Sequence, residues 1–511
     1  MKTRILFVLL LAIPFISGAQ NVNIPDTNFL NALLSAGVDA NGDGIISSTE
    51  CEAIKDLNVI GKNISDLTGI EAFINLENLL CKDNNLTLLD ISHNTALHYL
   101  HCSNNRLTNL DVSKNTEISW LRCSDNLLTS LNTSGNAALD NIECYNNLIT
   151  SLDVSANPAL AELYCYSSQL TSLNVSGCTV LTKLYCENNQ LTSLDVSDKP
   201  ALETLECHDN QLTSLDVSGC PVLNKLNCEH NQLVSFNVSD NTGLQFFDCH
   251  NNQLTSLDVS GCTVLLALQC MYNQLTSLDV SANIILENLL CSNNRLTSLD
   301  ITHNTALREI NCRNNQLTGL DVTSATALQF FFCDNNRLTS LDVSKNTGLN
   351  TLTCGSNLLT SLNLSNNANL LSSIGGTMIG FLSLSDMPTL FEVCVWVMPF
   401  PPAGTAARVD TTGSPNLFFT TNCSSHIQVD YTETGTINIY PNPSDDIINI
   451  DIENNKNARL EIYNLNGTLL FSKSIDSESE KIDVSGYSKG VYLMKVKQDR
   501  SVFIKKIIVG Y

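Results

Sequence analysis

Oxygen donors recur at alternate positions along residues 39–50, Asp-Ala-Asn-Gly-Asp-Gly-Ile-Ile-Ser-Ser-Thr-Glu. Asp39, Asn41 and Asp43 bear side-chain oxygens, Gly44 permits a sharp bend, Ile45 offers its carbonyl, Ser47 its hydroxyl and Glu50 both oxygens of a carboxylate. Hard oxygens in that number and order suit calcium, which takes about six to eight of them. The run occurs once, so the expected ion is structural and stiffens the segment around it. Ile46 holds an apolar position inside the run, and Phe29-Leu30-x-x-Leu33-Leu34 upstream has the spacing of an amphipathic helix.

Thiols are the second reactive group, with 20 cysteines in the chain. Cys81, Cys102, Cys123, Cys144, Cys165, Cys186, Cys207, Cys228, Cys249, Cys270, Cys291, Cys312, Cys333 and Cys354 recur every 21 residues without a slip. A position repeated so regularly reads as a stacked core site, where Cys packs as a small hydrophobe. Side chains in an in-register parallel stack point the same way, which suits a disulfide poorly, and a ladder does not wrap four ligands around a metal ion. Cys178, Cys220 and Cys262 fall at a second repeating position, otherwise mostly Asn. Cys394 and Cys423 stand outside both columns and bracket Val397-Met-Pro-Phe-Pro-Pro402, so a disulfide between them is expected to close a cap. Cys51 has no evident partner.

The elements that position these groups follow from the unit Leu-x-x-Leu-x-Cys-x-x-Asn-x-Leu-Thr-x-Leu-Asp-Val-Ser-x-Asn, as in Leu97, Leu100, Cys102, Asn105, Leu107, Leu110, Val112 and Asn115. Apolar residues alternate in both halves, which leaves no room for a long helix and predicts a short parallel strand from each. One rung cannot bury its apolar face alone, so neighbours supply the core and both ends need covers. Residues beside the buried Leu and Cys of the first strand point outward. Trp120, Tyr145, Tyr164, Tyr166 and Tyr185 occupy such positions on four successive rungs and are expected to form one aromatic patch. A patch of this kind suits protein contact or sugar stacking, and equally a ladder that only stabilises the sheet. Ser168 replaces the turn Asn in the same region.

Beside the patch runs the column Glu187, His208, Glu229 and His250, with His230 and Asp248 close by. Imidazole and carboxylate together can bind a transition metal, or simply remain solvated. A further column, Asp90, Asp111, Asp153, Asp195, Asp216, Asp258, Asp279, Asp300, Asp321 and Asp342, faces self-repulsion unless it is hydrogen-bonded or binds cations. Hydrogen bonds to turn groups are the expectation. No nucleophile with a positioned base stands out, and neither a Gly-rich phosphate loop nor His-Glu-x-x-His occurs. An open repeat face also offers no closed pocket, so the chain is expected not to be an enzyme.

The unit resembles the leucine-rich repeat over residues 57–393, in the short bacterial form whose two sides are both strand-like. The 39–50 run resembles an EF-hand loop, and residues 24–80 resemble the entry segment of secreted bacterial leucine-rich-repeat proteins. Tyr440-Pro441-Asn442-Pro443, Gly490-Val-Tyr-Leu-Met-Lys-Val496 and Lys505-Lys-Ile-Ile-Val509 together resemble the type A C-terminal sorting domain of the type IX secretion system of Bacteroidota. That resemblance implies outer-membrane export of a folded cargo by the type IX machinery, removal of the domain and attachment of the cargo at the cell surface.

The expected organisation is a signal peptide over 1–19 (Lys2 and Arg4, an apolar run over 5–16, then Ser17-Gly18-Ala19). An N-terminal cap over 24–56 follows, then the solenoid over 57–393, a C-terminal cap over 394–423, a linker over 424–437 and the sorting domain over 438–511. The fold class is mainly β: a solenoid of 21-residue rungs with short parallel strands, followed by a small β-sandwich. No run is long enough for a transmembrane helix. Lys and Arg number 27 against 51 Asp and Glu, a net charge of −24. The last 75 residues balance ten against ten, so the acidity lies in the body of the chain, which should repel nucleic acid. The expected function is a secreted or cell-surface, non-catalytic binding or adhesion protein for a protein or glycan ligand. The alternatives are a carbohydrate-capture module for polysaccharide uptake and a purely structural surface-coat rod.

Overall fold

The computed structural model describes residues 20–510 apart from 375–377, 406–407, 422, 424–436, 443, 453–457, 465–467 and 499–500. The signal peptide, most of the 424–437 linker and Pro443 lie outside the described residues. The chain divides into two compact units, Met1–Gln232 and Leu233–Tyr511.

The first unit opens with α1 (Thr27–Ser35), capped by Asp26, whose carboxylate accepts from the N–H groups of Asn28 and Phe29. The other oxygen of Asp26 accepts from Ser65 and Asp66 and so ties the helix to the first rung. Phe29, Ala32 and Leu33 face the core. A second helix, α2 (Ser48–Glu52), follows the 39–50 loop and buries Cys51. Nine three-residue strands then pair in parallel, from Asp56–Asn58 and Asn78–Leu80 to Thr204–Glu206 and Lys225–Asn227. Each places a Leu or Ile at its centre in full burial, for example Leu100, Ile142 and Leu184.

The second unit repeats the pattern from Phe246–Asp248 to Thr351–Thr353. The spacing then lengthens: Leu352 pairs with Leu382, and Leu382 with Val409. A separate parallel sheet joins Ser361–Asn363, Glu392–Cys394 and Phe418–Thr420. The last residues form two antiparallel sheets, one of Ile437–Tyr440, Ile447–Ile452 and Ser479–Asp483, the other of Ala458–Asn464, Leu469–Ile475, Gly490–Gln498 and Ser501–Val509. Ile448, Ile450, Leu460, Ile462, Met494 and Val496 share one core between them.

The second half of the rung departs from expectation. It forms regular strands at Ser151–Asp153 and Ser172–Asn174, and elsewhere along the 21-residue rungs mainly isolated bridges such as Asp195 with Asp216 and Asp258 with Asp279. The Asp holds the turn that follows: its Oδ1 accepts the N–H of the residue two ahead, as Asp216 does from Ser218 at 2.9 Å. The same bond, Asp153 from Ser155 at 2.9 Å, follows the regular strand too.

Two Asn columns hold the turns. In the first, the Asn210 amide donates to the carbonyls of Cys186 and Cys207 at 3.0 and 3.1 Å, and its oxygen accepts from Leu191 N–H at 3.0 Å. Every polar atom of that side chain is satisfied while 8 % exposed. In the second, Asn115 donates to Ile91 and Asn94 carbonyls at 3.0 and 2.8 Å, but its Oδ1 is buried without a partner, as are those of Asn94, Asn136, Asn283, Asn304, Asn346 and Asn367. Cys at this position keeps a donor and removes the orphan acceptor. Cys178 donates to Val154 carbonyl at 3.1 Å and Cys220 to Val196 carbonyl at 3.3 Å. Lys199 and Ala325 also take this place, both buried.

At Cys178, Cys220 and Cys262 the shorter side chain lets the rungs approach. A Cβ on the preceding Gly177, Gly219 or Gly261 would collide with the carbonyl oxygen of Ser155, Ser197 or Ser239, whereas Gly135, before Asn136, has room. The fourteen period-defining cysteines are buried as separate thiols, and burial pushes Cys81 and Cys144 up to about 12. They are packing groups with no nucleophilic character near neutral pH.

The two columns predict unequal costs. Asn210→Ala should destabilise by about 2–4 kcal/mol, because it strands two buried carbonyls and a buried N–H. Asn115→Ala removes a side chain that already carries an unsatisfied atom and should cost clearly less. Thermal melting of the two variants checks the order; equal losses would refute this account of the columns.

Candidate functional site

The outward side chains of residues 99–229 form the most distinctive surface of the first unit. Tyr145 and Tyr166 stack with ring centroids 4.4 Å apart and planes 6° apart. Tyr164 and Tyr185 stack at 4.9 Å and 18°. Both pairs follow from the 21-residue period, which brings i and i+21 to the strand spacing of about 4.8 Å. Trp120 joins neither stack. It meets Tyr99 edge-to-face at 6.0 Å, with the Arg122 guanidinium 5.3 Å from the Trp120 ring and 5.8 Å from the Tyr99 ring. Ring contacts thus join the four tyrosines as two stacks and Trp120 to Tyr99. Residue 141, the neighbour of Trp120 in its column, is Asn, so the aromatic run breaks there.

Tyr99, His101 and Arg122 belong to the surface and were not singled out by composition, although they occupy the same outward columns. Charged partners fix the remaining geometry. Glu162 accepts from Tyr164 Oη at 2.9 Å and Asn141 Nδ2 at 3.1 Å, and pairs with Lys183 at 2.9 Å. Arg122 pairs with Glu143 at 3.1 Å, and Lys225 with Glu206 at 2.6 Å. Burial pushes the Tyr166 hydroxyl up to about 12, so it stays a neutral hydrogen-bonding group. Burial, reinforced by Arg122 and Lys82, holds His101 down at about 4 and hence uncharged. Glu187 sits beside this array with its carboxyl raised by burial. Trp120 is 42 % exposed and the four tyrosines are half-buried, so rings and hydroxyls remain accessible.

The 39–50 loop is folded around Asp39, whose carboxylate accepts from the N–H groups of Gly42, Asp43 and Gly44. Gly42 and Gly44 adopt φ of 76° and 77°. Asn41 and Asp43 accept from Asp43 and Ile45 N–H. Glu50 accepts from Ala40, Asn41 and Ser47 N–H and from the Ser47 hydroxyl, making a capping box on α2. The donor set is all hard oxygen and suits calcium by type. Asp39, Asp43 and Glu50 are nevertheless not among the described groups whose ligand atoms all lie within 4.8 Å of one another. Glu50 is turned onto backbone N–H groups.

Cys394 and Cys423 face each other with Cα atoms 5.5 Å apart. Tyr440 donates to Asp451 at 2.9 Å, and Asn442 bridges to the last strand, donating to Lys506 carbonyl and accepting from Ile508 N–H. Pro441 lies between them. Of the histidine and acid column, Glu187, His208 and Glu229 lie in the first unit. In the second unit, His250 lies 2.7 Å from Asp248.

Fold and surface together define a leucine-rich-repeat solenoid of the internalin-like kind. It is similar over 96 % of its length, at 27 % identity and a TM-score of 0.64, to the functional domain of InlJ from Listeria monocytogenes, described as including a cysteine ladder and covered over 99 %. Residues 438–510 match the secretion system C-terminal sorting domain, so this is a secreted or cell-surface protein carried by the type IX machinery. Among curated proteins it is 39 % identical over 71 residues to Internalin J of Listeria monocytogenes, and 29 % identical over 107 residues to Ulvan lyase NLR42 of Nonlabens ulvanivorans. These matches cover 14 % and 20 % of this chain and only 8 % and 19 % of those proteins. No helix of the described residues is long and apolar enough to cross a membrane.

The Asp column is hydrogen-bonded to its turns, and those bonds hold its carboxyls below the ordinary range, as at Asp111, Asp195, Asp258 and Asp300. A lowered folded value means stability present above the unfolded value and lost as pH falls through the folded one. The melting temperature should therefore hold from pH 7 to 5 and fall below about pH 4. Asp195→Asn with Asp216→Asn should flatten that fall, because Asn174 and Asn237 make the same turn uncharged. Melting curves across that range decide it, and an unchanged slope in the double variant would refute it.

Proposed function

We propose that this chain is a non-catalytic surface binding protein whose ligand is a protein, held on the face from Tyr99 to Tyr185. The observation that carries this reading is the pair of tyrosine stacks beside the Tyr99, Trp120 and Arg122 group. Each tyrosine covers one ring face with its partner, which leaves edges, hydroxyls and one outer face for contact. Rigid Tyr and Trp side chains with a polar tip, next to an Arg, are the residues that dominate protein interfaces. The internalin-like fold typically binds proteins, and an extended repeat face suits a large partner. A carbohydrate-capture role is favoured by the short segments shared with proteins named as an ulvan lyase and a beta-agarase. Face-to-face stacking, however, removes half of the ring surface on which a sugar would lie. Nothing along the face pairs a nucleophile with a base, and this supports the non-catalytic reading.

The full chain and a Tyr164→Ala, Tyr166→Ala, Tyr185→Ala variant, both checked for folding, would be tested on whole cells, protease-treated cells and purified polysaccharides. Saturable binding to cells that protease treatment and the variant both abolish is the expected result. Binding to a polysaccharide that the variant loses would give the site to a glycan. Equal binding by both chains would remove the site from this face, and no binding by either would leave a structural rod.

The same reading gives the 39–50 loop calcium as a structural ion, held by Asp39, Asn41, Asp43, Ser47, Glu50 and the Ile45 carbonyl. The ion would supply rigidity where α1, α2 and the first rung meet. A disulfide between Cys394 and Cys423 would brace the other end, a role supported by their separation. Removal of calcium by a chelator should lower the melting temperature of the wild-type chain, and Asp39→Ala should abolish that response. A melting temperature indifferent to the chelator would exclude a bound ion.

A further inference from the structure

Three of the eight histidines, His208, His230 and His250, fall within 43 residues, and two of them meet inside the first unit. His208 and Glu229 occupy the same outward position on successive rungs. Asp209 and His230 follow them at the turn, with φ of 51° and 50°. The period alone thus sets a His-Asp pair beside a Glu-His pair. His208 Nδ1 lies 2.8 Å from Asp209 Oδ2 and 3.9 Å from Glu229 Oε1. His230 Nδ1 lies 3.9 Å from Asp209 Oδ1. Ligand atoms of His208, Asp209 and Glu229 all fall within 4.8 Å of one another.

We propose that His208, Asp209, Glu229 and His230 form a binding site for a divalent transition metal of the zinc class, separate from the tyrosine face and independent of what that face binds. Two imidazoles and two carboxylates are borderline and hard donors, a set that zinc, copper and nickel accept and that calcium, which takes oxygen alone, does not share. A tetrahedral ion about 2.1 Å from each ligand spaces neighbouring donors about 3.4 Å apart. The observed separations of 2.8 to 3.9 Å straddle that value: His208, Asp209 and Glu229 already converge, and His230, 3.9 Å from Asp209, would complete the set by turning its ring towards them. The ion would replace the bond between His208 and Asp209. Access is open: the His208 and Glu229 side chains are about one-fifth exposed, and those of Asp209 and His230 nearly half. The backbone beneath is rigid, since Asn210 and Asn231 anchor both turns to buried carbonyls. Glu187 and Glu206 add acidic groups nearby, and Lys225, paired with Glu206, offsets part of them.

The test is isothermal titration of the full chain with zinc in excess calcium, which occupies the oxygen-only sites. One tight equivalent is expected. In the His208→Gln, His230→Gln double variant its affinity should fall roughly tenfold or more, while His101→Gln, beside the tyrosines and outside the cluster, should leave it unchanged. Cobalt substitution gives a second readout: nitrogen and oxygen ligands produce weak visible bands without the strong thiolate charge-transfer band that ligation by the buried cysteines would add. No tight zinc in the presence of calcium, zinc retained by the folded double variant, or a thiolate band would each overturn the proposal.

Discussion

The buried Asn amide at the first turn is the interaction on which the rest of this structure depends. A 21-residue rung is too short to turn its corners with regular backbone pairing alone. It leaves carbonyls such as those of Cys186 and Cys207 pointing inward, and the Asn210 amide reaches both while accepting from Leu191 N–H of the preceding rung. Burying such groups without partners costs about 1–3 kcal/mol each, so one side chain per rung secures the corner. Because the amide spans two rungs, it also reinforces the register that the parallel strand pairing sets, which holds also at Ser168, where the amide is missing. The tyrosine stacks and the His208 cluster are consequences of this alignment and need no further device to assemble.

The period of the cysteines revealed the parallel strands, because only a stacked position repeats every 21 residues. The outward columns were equally legible, since residues beside a buried strand position must face solvent. What sequence did not show was which members of a column touch. Tyr145 and Tyr166 are neighbours and stack, while Trp120 turns to Tyr99 because its other neighbour in the column is Asn141. Nor did alternation reveal how short the second strand would be. The Asp to Ser bond expected of that column is present both where the second strand is regular and where it is a bridge. In the second Asn column, Cys, Lys and Ala also occur. The unpartnered oxygen of Asn115 supplies the reason: the position gains little from its acceptor.

Charge is distributed with the same economy. The Asp column makes turns that Asn makes elsewhere, so its negative charge is not needed for folding. It leaves the second side strongly acidic, while the first side concentrates aromatic rings, paired ions and imidazoles. A displayed protein benefits from that asymmetry, because an acidic flank discourages association with anionic surfaces and leaves the aromatic side as the place for specific contact.

Gly177, Gly219 and Gly261 carry a consequence for how such an array changes over time. At each, the cysteine that follows is short enough to draw two turns together, and the glycine alone leaves space for the carbonyl between them. Glycine and cysteine are therefore coupled at these three turns. Replacing its cysteine by Asn while keeping glycine is tolerable, as Gly135-Asn136 illustrates, but adding a side chain at the glycine first meets a collision. The allowed order of the two steps is fixed by geometry, and an array built by duplicating rungs copies both residues or neither.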